Sequence, residues 1–236
     1  MAHTVRFRAQ LGWPSVICTD LHAFVAARPP GHHARNDGRE EGFCFYNNVA
    51  IAAKYLQKNG FEKILIVDWD YHHGDGTEYF FYQDPSVLFF STHDWNAYPG
   101  TGAPERQGVG EGYGFNINVH LPCGSGNIEI ERAFTDILLP NAEKFKPDFV
   151  LISAGFDSRE KDPLGCFIID DFGFRRITQI VLEITNKFAD GKILSILEGG
   201  YNPIGVASSA EAHIEELFQN KYLKLKTSQQ NNKLLL

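Results

Sequence analysis

The sequence is poor in cysteine and methionine, with four and one among 236 residues. Cys18, Cys44, Cys123 and Cys166 stand far apart, and no C-x-x-C pair occurs. That spacing suits neither a zinc knuckle nor a disulfide framework, so reduced cysteines of an intracellular protein are expected. No apolar run approaches the ~20 residues needed to span a bilayer. The N-terminal stretch MAHTVRFRAQLGWPS lacks the apolar centre of a secretory signal. The expected compartment is the cytoplasm, or the nucleus in a eukaryotic cell. There is no long basic run, and the formal net charge is −7. This argues against a sequence-independent grip on nucleic acid, so neither nucleic acid nor membrane is an expected partner.

What is present is an ordinary globular composition, 43% hydrophobic and 22% charged. The length fits one large domain over residues 1–236. Residues 1–22 read as a divergent N-terminus, and the polar stretch 223–236 as a flexible tail. Three continuous apolar runs stand out: Ile64–Val67, Phe149–Ile152 and Ile193–Leu197. Such runs mark strands buried on both faces, as in a parallel sheet. Val87–Phe90 and Phe115–Val119 are weaker strand candidates. Between them lie helical patterns. One is capped by Asn47 or Asn48, runs to about Gln57 and is followed by Gly60. Another covers Ile128 to about Phe145 and is interrupted near Pro140. A third is capped by Asp170 or Asp171 and stops before Gly191, and a last one runs from Val206 to Phe218. The alternation predicts an α/β domain with a mostly parallel sheet.

The three strong strands end alike. The first runs into Asp68-Trp69-Asp70-Tyr71-His72-His73-Gly74-Asp75-Gly76, the second into Ser153-Ala154-Gly155-Phe156-Asp157, and the third into Glu198-Gly199-Gly200-Tyr201-Asn202. Ligands of open α/β sheets bind outside the carboxyl ends of the strands. Alternation along an extended chain puts Asp68, Asp70 and His72 on one face. Converging carboxylates and imidazole repel or lose solvation unless a cation binds there. Asp70, His72 and Asp157 are therefore candidate ligands of one metal, and three protein ligands leave the open position of a catalytic zinc site. A salt-bridge network without metal is the competing reading. Upstream, Pro30-Gly31-His32-His33 sets two histidines on a loop, with Asp68 and Asp75 left over as partners for His–Asp dyads. Gly199 and Gly200 allow close approach of a ligand. The Tyr201 hydroxyl suits an oxyanion donor, although a ring packed under a loop is the commoner fate of tyrosine.

Taken together, RPPGHHA (28–34), GFCFYNN (42–48), VDWDYHHGDGT (67–77), YPGTG (98–102), SAGFDS (153–158), DPLG (162–165) and LEGGYN (197–202) resemble the zinc-dependent histone deacetylase and acetylpolyamine amidohydrolase superfamily. The resemblance covers about Ala23 to Leu217. The VDWD and LEGGYN spellings are similar to the class II-like enzymes. It implies the three-layer arginase/deacetylase-like fold and hydrolysis of an acyl amide by zinc-activated water. By position it implies Asp70, His72 and Asp157 as zinc ligands, and His32 and His33 as acid–base residues with Asp68 and Asp75 behind them. Tyr201 would polarise the substrate carbonyl, and Gly42, Phe43 and Tyr98 would form the walls of an acyl-lysine tunnel with Gly199 and Gly200. It also implies potassium beside the zinc at Asp68, Asp70, His72, Ser91 and Thr92, and a more remote monovalent site at Phe81, Asp84, Val87 and Phe115. The implied substrate is an acetylated protein lysine or a small acylated amine.

Only 27 residues precede Arg28, where the family has a longer leader. The expectation is a sheet without its N-terminal edge strands, and a bare edge there suits a homo-oligomer. The alternative function is a shortened, non-catalytic relative that keeps the metal site without turnover. Two other readings stand lower. Arginase-like chemistry needs a D-x-H-x-D run that D-W-D-Y-H-H does not spell, and a dinucleotide-binding domain lacks its G-x-G-x-x-G after the first strand.

Overall fold

The computed structural model describes residues 16–18 and 22–233, with side chains over 22–218. The divergent stretch 1–22 lies mostly outside the described residues. Among the described residues seven strands form one sheet: β1 (Val16–Cys18), β2 (His22–Val25), β3 (Ile64–Asp68), β4 (Val87–His93), β5 (Asn116–His120), β6 (Phe149–Ala154) and β7 (Ile193–Leu197). Their order is β1-β2-β7-β6-β3-β4-β5. All neighbours are parallel except β1 and β2, which pair antiparallel at one edge. The edge beside β7 is therefore not bare. Residues ahead of Arg28 supply two strands that the apolar-run pattern was too short to show.

The continuous apolar runs follow from helices on both faces. β3, β4, β6 and β7 are buried at every position. Their side chains alternate between two cores. Leu65, Val67, Val150 and Ile152 join one core, beneath α5 (Asp171–Phe188) and α6 (Pro203–Lys233). Ile64, Ile66, Phe149 and Leu151 join the other, beneath α1 (Asn48–Lys58). This is a three-layer α/β fold.

The helix signals act as read. The Asn47 side chain accepts from the Ala50 N–H at the start of α1, and Asp170 does the same for Gly173 at α5. Gly60 takes φ +89° just beyond α1. A short helix, α2 (Asp75–Phe81), follows the His72-His73-Gly74 turn. The interrupted pattern of 128–145 is one helical rod in three parts: α3 (Asn127–Arg132), a π-turn over Ala133–Leu138, and α4 (Leu139–Phe145). Pro140 sits in the first turn of α4, where its missing N–H is tolerated. α6 runs on through the stretch expected to be a flexible tail, whose side chains lie outside the described residues. Among the described residues no helix is long and apolar enough to cross a membrane.

Candidate active site

The carboxyl ends of β3, β6 and β7 are adjacent in the sheet, so their trailing loops share one edge. Ligating atoms of Asp70, His72 and Asp157, all buried, lie within 4.8 Å of one another. His72 Nδ1 is 3.2 Å from Asp70 Oδ1 and 3.0 Å from Asp157 Oδ2. The first ending leaves the extended strand at Asp68. It is the Asp70 carboxylate, accepting from the His72 N–H at 2.9 Å, that turns the imidazole inward.

The electrostatics are those of a site built around positive charge. Burial lowers the His72 pKa, yet its bonds to Asp157 and Asp70 outweigh this and carry it up to about 10. Burial and then the Asp70 charge push the Asp157 carboxyl up to about 7. Burial also opposes the charge on Asp70, but His32 and His72 hold it well below the usual carboxylate range. His72 Nδ1 thus lies between the two carboxylates. That nitrogen and those oxygens form the N/O donor set that suits a divalent ion, so the residues fit zinc.

The two histidines are each backed by a carboxylate. His32 Nδ1 lies 3.0 Å from Asp68 Oδ2, and His33 Nδ1 lies 2.8 Å from Asp75 Oδ1. Arg35 donates to the other Asp75 oxygen at 3.0 Å. The two imidazole rings are 4.1 Å apart. Burial lowers the His32 pKa, but Asp70 and Asp68 raise it well above the ordinary histidine value. Burial and the adjacent His32 charge bring His33 down to about 4. The two histidines are thus pushed in opposite directions, and His33, the one held low, lines the cavity.

That cavity holds about 860 Å³ and is walled by His33, His72, Phe43, Tyr98 and Tyr201, with Leu164 on its rim. The Tyr98 ring meets His33 at 5.0 Å, and Phe43 meets Tyr201 at 5.8 Å. Burial raises the Tyr201 pKa, so its hydroxyl keeps its proton and can donate. Gly42 takes φ +55°, and a Cβ there would fall 2.1 Å from the His33 ring. Gly199 and Gly200 are not among the wall residues. The Gly199 N–H donates to Asp70 Oδ2 at 2.8 Å, and a Cβ on it would lie 2.1 Å from Asp157 Oδ2. The Gly200 carbonyl accepts from Arg28 at 3.1 Å. Gly199 thus makes room for the Asp70 and Asp157 carboxylates, whereas a Cβ on Gly200 would meet Val206 at 2.6 Å.

Residues 14–217 match the histone deacetylase domain. The chain belongs to the histone deacetylase family. It is 44% identical over 184 residues to a probable deacetylase of Archaeoglobus fulgidus, covering 78% of this chain and 51% of that protein. It is 46% identical over 215 residues to histone deacetylase 15 of Arabidopsis thaliana, covering 85% and 38%. Over 210 residues it is 43% identical to human histone deacetylase 7, covering 85% and 22%. The crystal structure of the HDA15 HD domain superposes with a TM-score of 0.78 at 46% identity, over 83% of this chain and 56% of that one. The chain thus spans about half or less of the length of the curated relatives it matches. The match begins at residue 14, ahead of the Ala23 start read from motifs.

Within this histone deacetylase fold several residues act that sequence reading left without a role. Glu198 is buried and accepts from the main-chain N–H of Gly31 at 2.6 Å and of His32 at 3.1 Å. Arg28 donates to the Glu198 carbonyl at 2.8 Å. Together they tie the histidine loop to the β7 ending. Asn47, read only as a helix cap, also donates to the carbonyls of His32 and Ala34 and to Thr77 Oγ1. Asp162 accepts from the Tyr201 and Asn202 N–H groups. Each lies inside a quoted motif, which was the available signal. Cys123 and Cys166, 43 residues apart, are brought together with Cα atoms 5.3 Å apart. The loop after β5 and the loop carrying Leu164 meet there, a contact that spacing alone hides. Cys44 is free and buried.

Proposed function

We propose that the chain hydrolyses an acyl amide, taking an acetylated lysine side chain or a small acylated amine to the free amine and a short carboxylate. The observation that carries this reading is the Asp70–His72–Asp157 cluster at the end of a cavity that His33 and Tyr201 also line. Three ligands with an open position belong to catalytic rather than structural zinc sites. A bound zinc ion would supply Lewis-acid polarisation and a lowered pKa for water.

The chain's own groups provide the rest. His33, neutral and backed by Asp75, is the proton acceptor for the attacking water. His32, bonded to Asp68 at 3.0 Å, stands beside the reacting centre as the second imidazole of the pair. The Tyr201 hydroxyl donates to the oxygen that gains charge as the amide carbonyl is attacked. The protonated imidazole then delivers its proton to the departing amine. The narrow aromatic walls at Phe43 and Tyr98 suit an unbranched alkyl amine. We also place potassium beside the zinc, at Asp68, Asp70, His72, Ser91 and Thr92. Asp68 lies opposite Ser91 in the β3–β4 register, and Thr92 Oγ1 is buried without a hydrogen-bond partner. The remote monovalent site falls where Phe81, Asp84 and Val87 lead into β4, beside Phe115; there the Asp84 carboxylate is taken by Lys54, Gln57 and Ser86.

The test is turnover of a fluorogenic acetyl-lysine peptide and of acetylated polyamines, with chelation and zinc replacement. Activity lost on chelation and regained with zinc is expected. Bound zinc without turnover of any acyl amine would instead mark a non-catalytic relative.

A further inference from the structure

We infer that Glu78 is a positioning residue that fixes the Tyr98 wall of the cavity, by joining α2, β5 and the loop between β4 and β5. Tyr98 stands on the loop 94–108, which has no regular structure and half-exposes its ring. Tyr98 itself touches the site, since its ring lies 5.0 Å from His33 and 6.3 Å from His72. Something rigid must hold such a loop if its aromatic wall is to select a substrate.

The holding groups are buried beneath it. Glu78, 2% exposed on α2, accepts from Arg106 Nε at 2.7 Å and Nη2 at 2.5 Å on one carboxylate oxygen. Its other oxygen accepts from Asn116 at 2.9 Å and Asn118 at 2.7 Å, both on β5. His73 Nε2 lies 3.4 Å from that oxygen without a directed hydrogen bond. The two asparagines also donate to the Arg106 carbonyl, at 2.6 Å and 3.3 Å. Further along the loop, Thr101 Oγ1 bonds His73 Nδ1 at 2.7 Å, and the Gly102 carbonyl bonds His93 Nε2 at 2.9 Å. These anchors are buried polar groups; Asp94 holds the start of the loop, accepting from the Tyr71 hydroxyl at 3.2 Å and the Asn96 N–H at 3.0 Å, and Glu78 is the carboxylate that holds its far end at Arg106.

Chemistry makes that carboxylate hard to replace. A guanidinium and two side-chain amides all point donors at it, so acceptors are needed on both oxygens. Glutamine would turn one acceptor into a donor aimed at other donors, and buried donors left unpaired are costly. The same helix carries Asp75 at its start, behind His33. One buried group therefore links the acid–base side of the site to the opposing wall.

The inference rests on the proposed amidohydrolase reading for its kinetic half only. Hydrogen exchange of residues 97–106 and steady-state kinetics on an acetyl-lysine peptide should be measured for the full chain, E78Q and R106Q. Arg106 is half-exposed, so R106Q keeps the test open if E78Q does not fold. Both variants should exchange in this segment at least about tenfold faster, with the other strands unchanged. KM should rise about tenfold while kcat stays within about threefold, and the double variant should add little to either single one. Unchanged exchange in a folded variant overturns the inference. So does faster exchange with unchanged KM, which would leave the network merely structural. A parent chain that turns over no acyl amine would defeat the activity reading, while the exchange data would still judge Glu78.

Discussion

Replacing Glu198 separates the two things its carboxylate does. It satisfies the main-chain N–H groups of Gly31 and His32, and it carries a buried charge. E198A leaves both amides buried and unpaired, at about 1–3 kcal/mol each. The expected loss is about 3 kcal/mol, a large share of the roughly 5–15 kcal/mol that keeps a domain folded. E198Q keeps an oxygen for both amides and can turn its NH2 toward Ser153 Oγ, now 3.3 Å from the other carboxylate oxygen. Burial pushes the Glu198 pKa up to about 7. The folded state therefore prefers the protonated form, and stability falls as pH rises from the unfolded value through 7. At pH 8 the glutamine variant should be no less stable than the parent, because it has no charge to bury. Urea unfolding at pH 8 with unchanged m-values is the assay. E198Q losing as much as E198A would refute the assignment of the loss to the two amides.

Three further outcomes follow from the geometry. Y201F should lower kcat by about 10²–10³, as for loss of one oxyanion donor, with zinc content unchanged; equal loss of zinc would contradict the role. G199A should weaken zinc binding at least about tenfold, because the new Cβ would lie 2.1 Å from Asp157 Oδ2 and 2.6 Å from Asp70 Oδ2; metal titration reads this directly. His213, fully buried between Thr178 and Ser195, has its pKa brought down by burial to about 3. Its neutral form is favoured in the fold, so stability is complete above the unfolded value near 6.5 and falls below it. At pH 5 this amounts to about 2 kcal/mol, and H213Q should flatten that part of the acid-unfolding curve.

What could be read from the sequence was local. Ile64–Val67, Phe149–Ile152 and Ile193–Leu197 announced central strands because a strand covered on both faces is apolar along most of its length. Asn47 and Asp170 announced helix starts because short polar side chains cap them. The dense acid and imidazole after β3 marked a candidate metal site, and Asp70, His72 and Asp157 do converge on one buried edge. What escaped was long-range. Nothing in LEGGYN says that Glu198 will reach back 167 residues to Gly31, and nothing near Cys123 points to Cys166. Strands of three and four residues at β1 and β2 fall below the length that pattern can register. Gly199 was read as an approach for a ligand, yet it makes room for the ligand-holding carboxylates.

The proposed activity depends on one zinc ion held by Asp70, His72 and Asp157. It is tested most directly by metal analysis of the parent chain, D70N, H72A and D157N beside Y201F, with turnover of an acetyl-lysine peptide measured on the same samples. One zinc per chain is expected in the parent and in Y201F, little or none in the other three, and turnover in the parent alone. Full zinc content in D157N or H72A, or turnover in a chain stripped of metal, would contradict it.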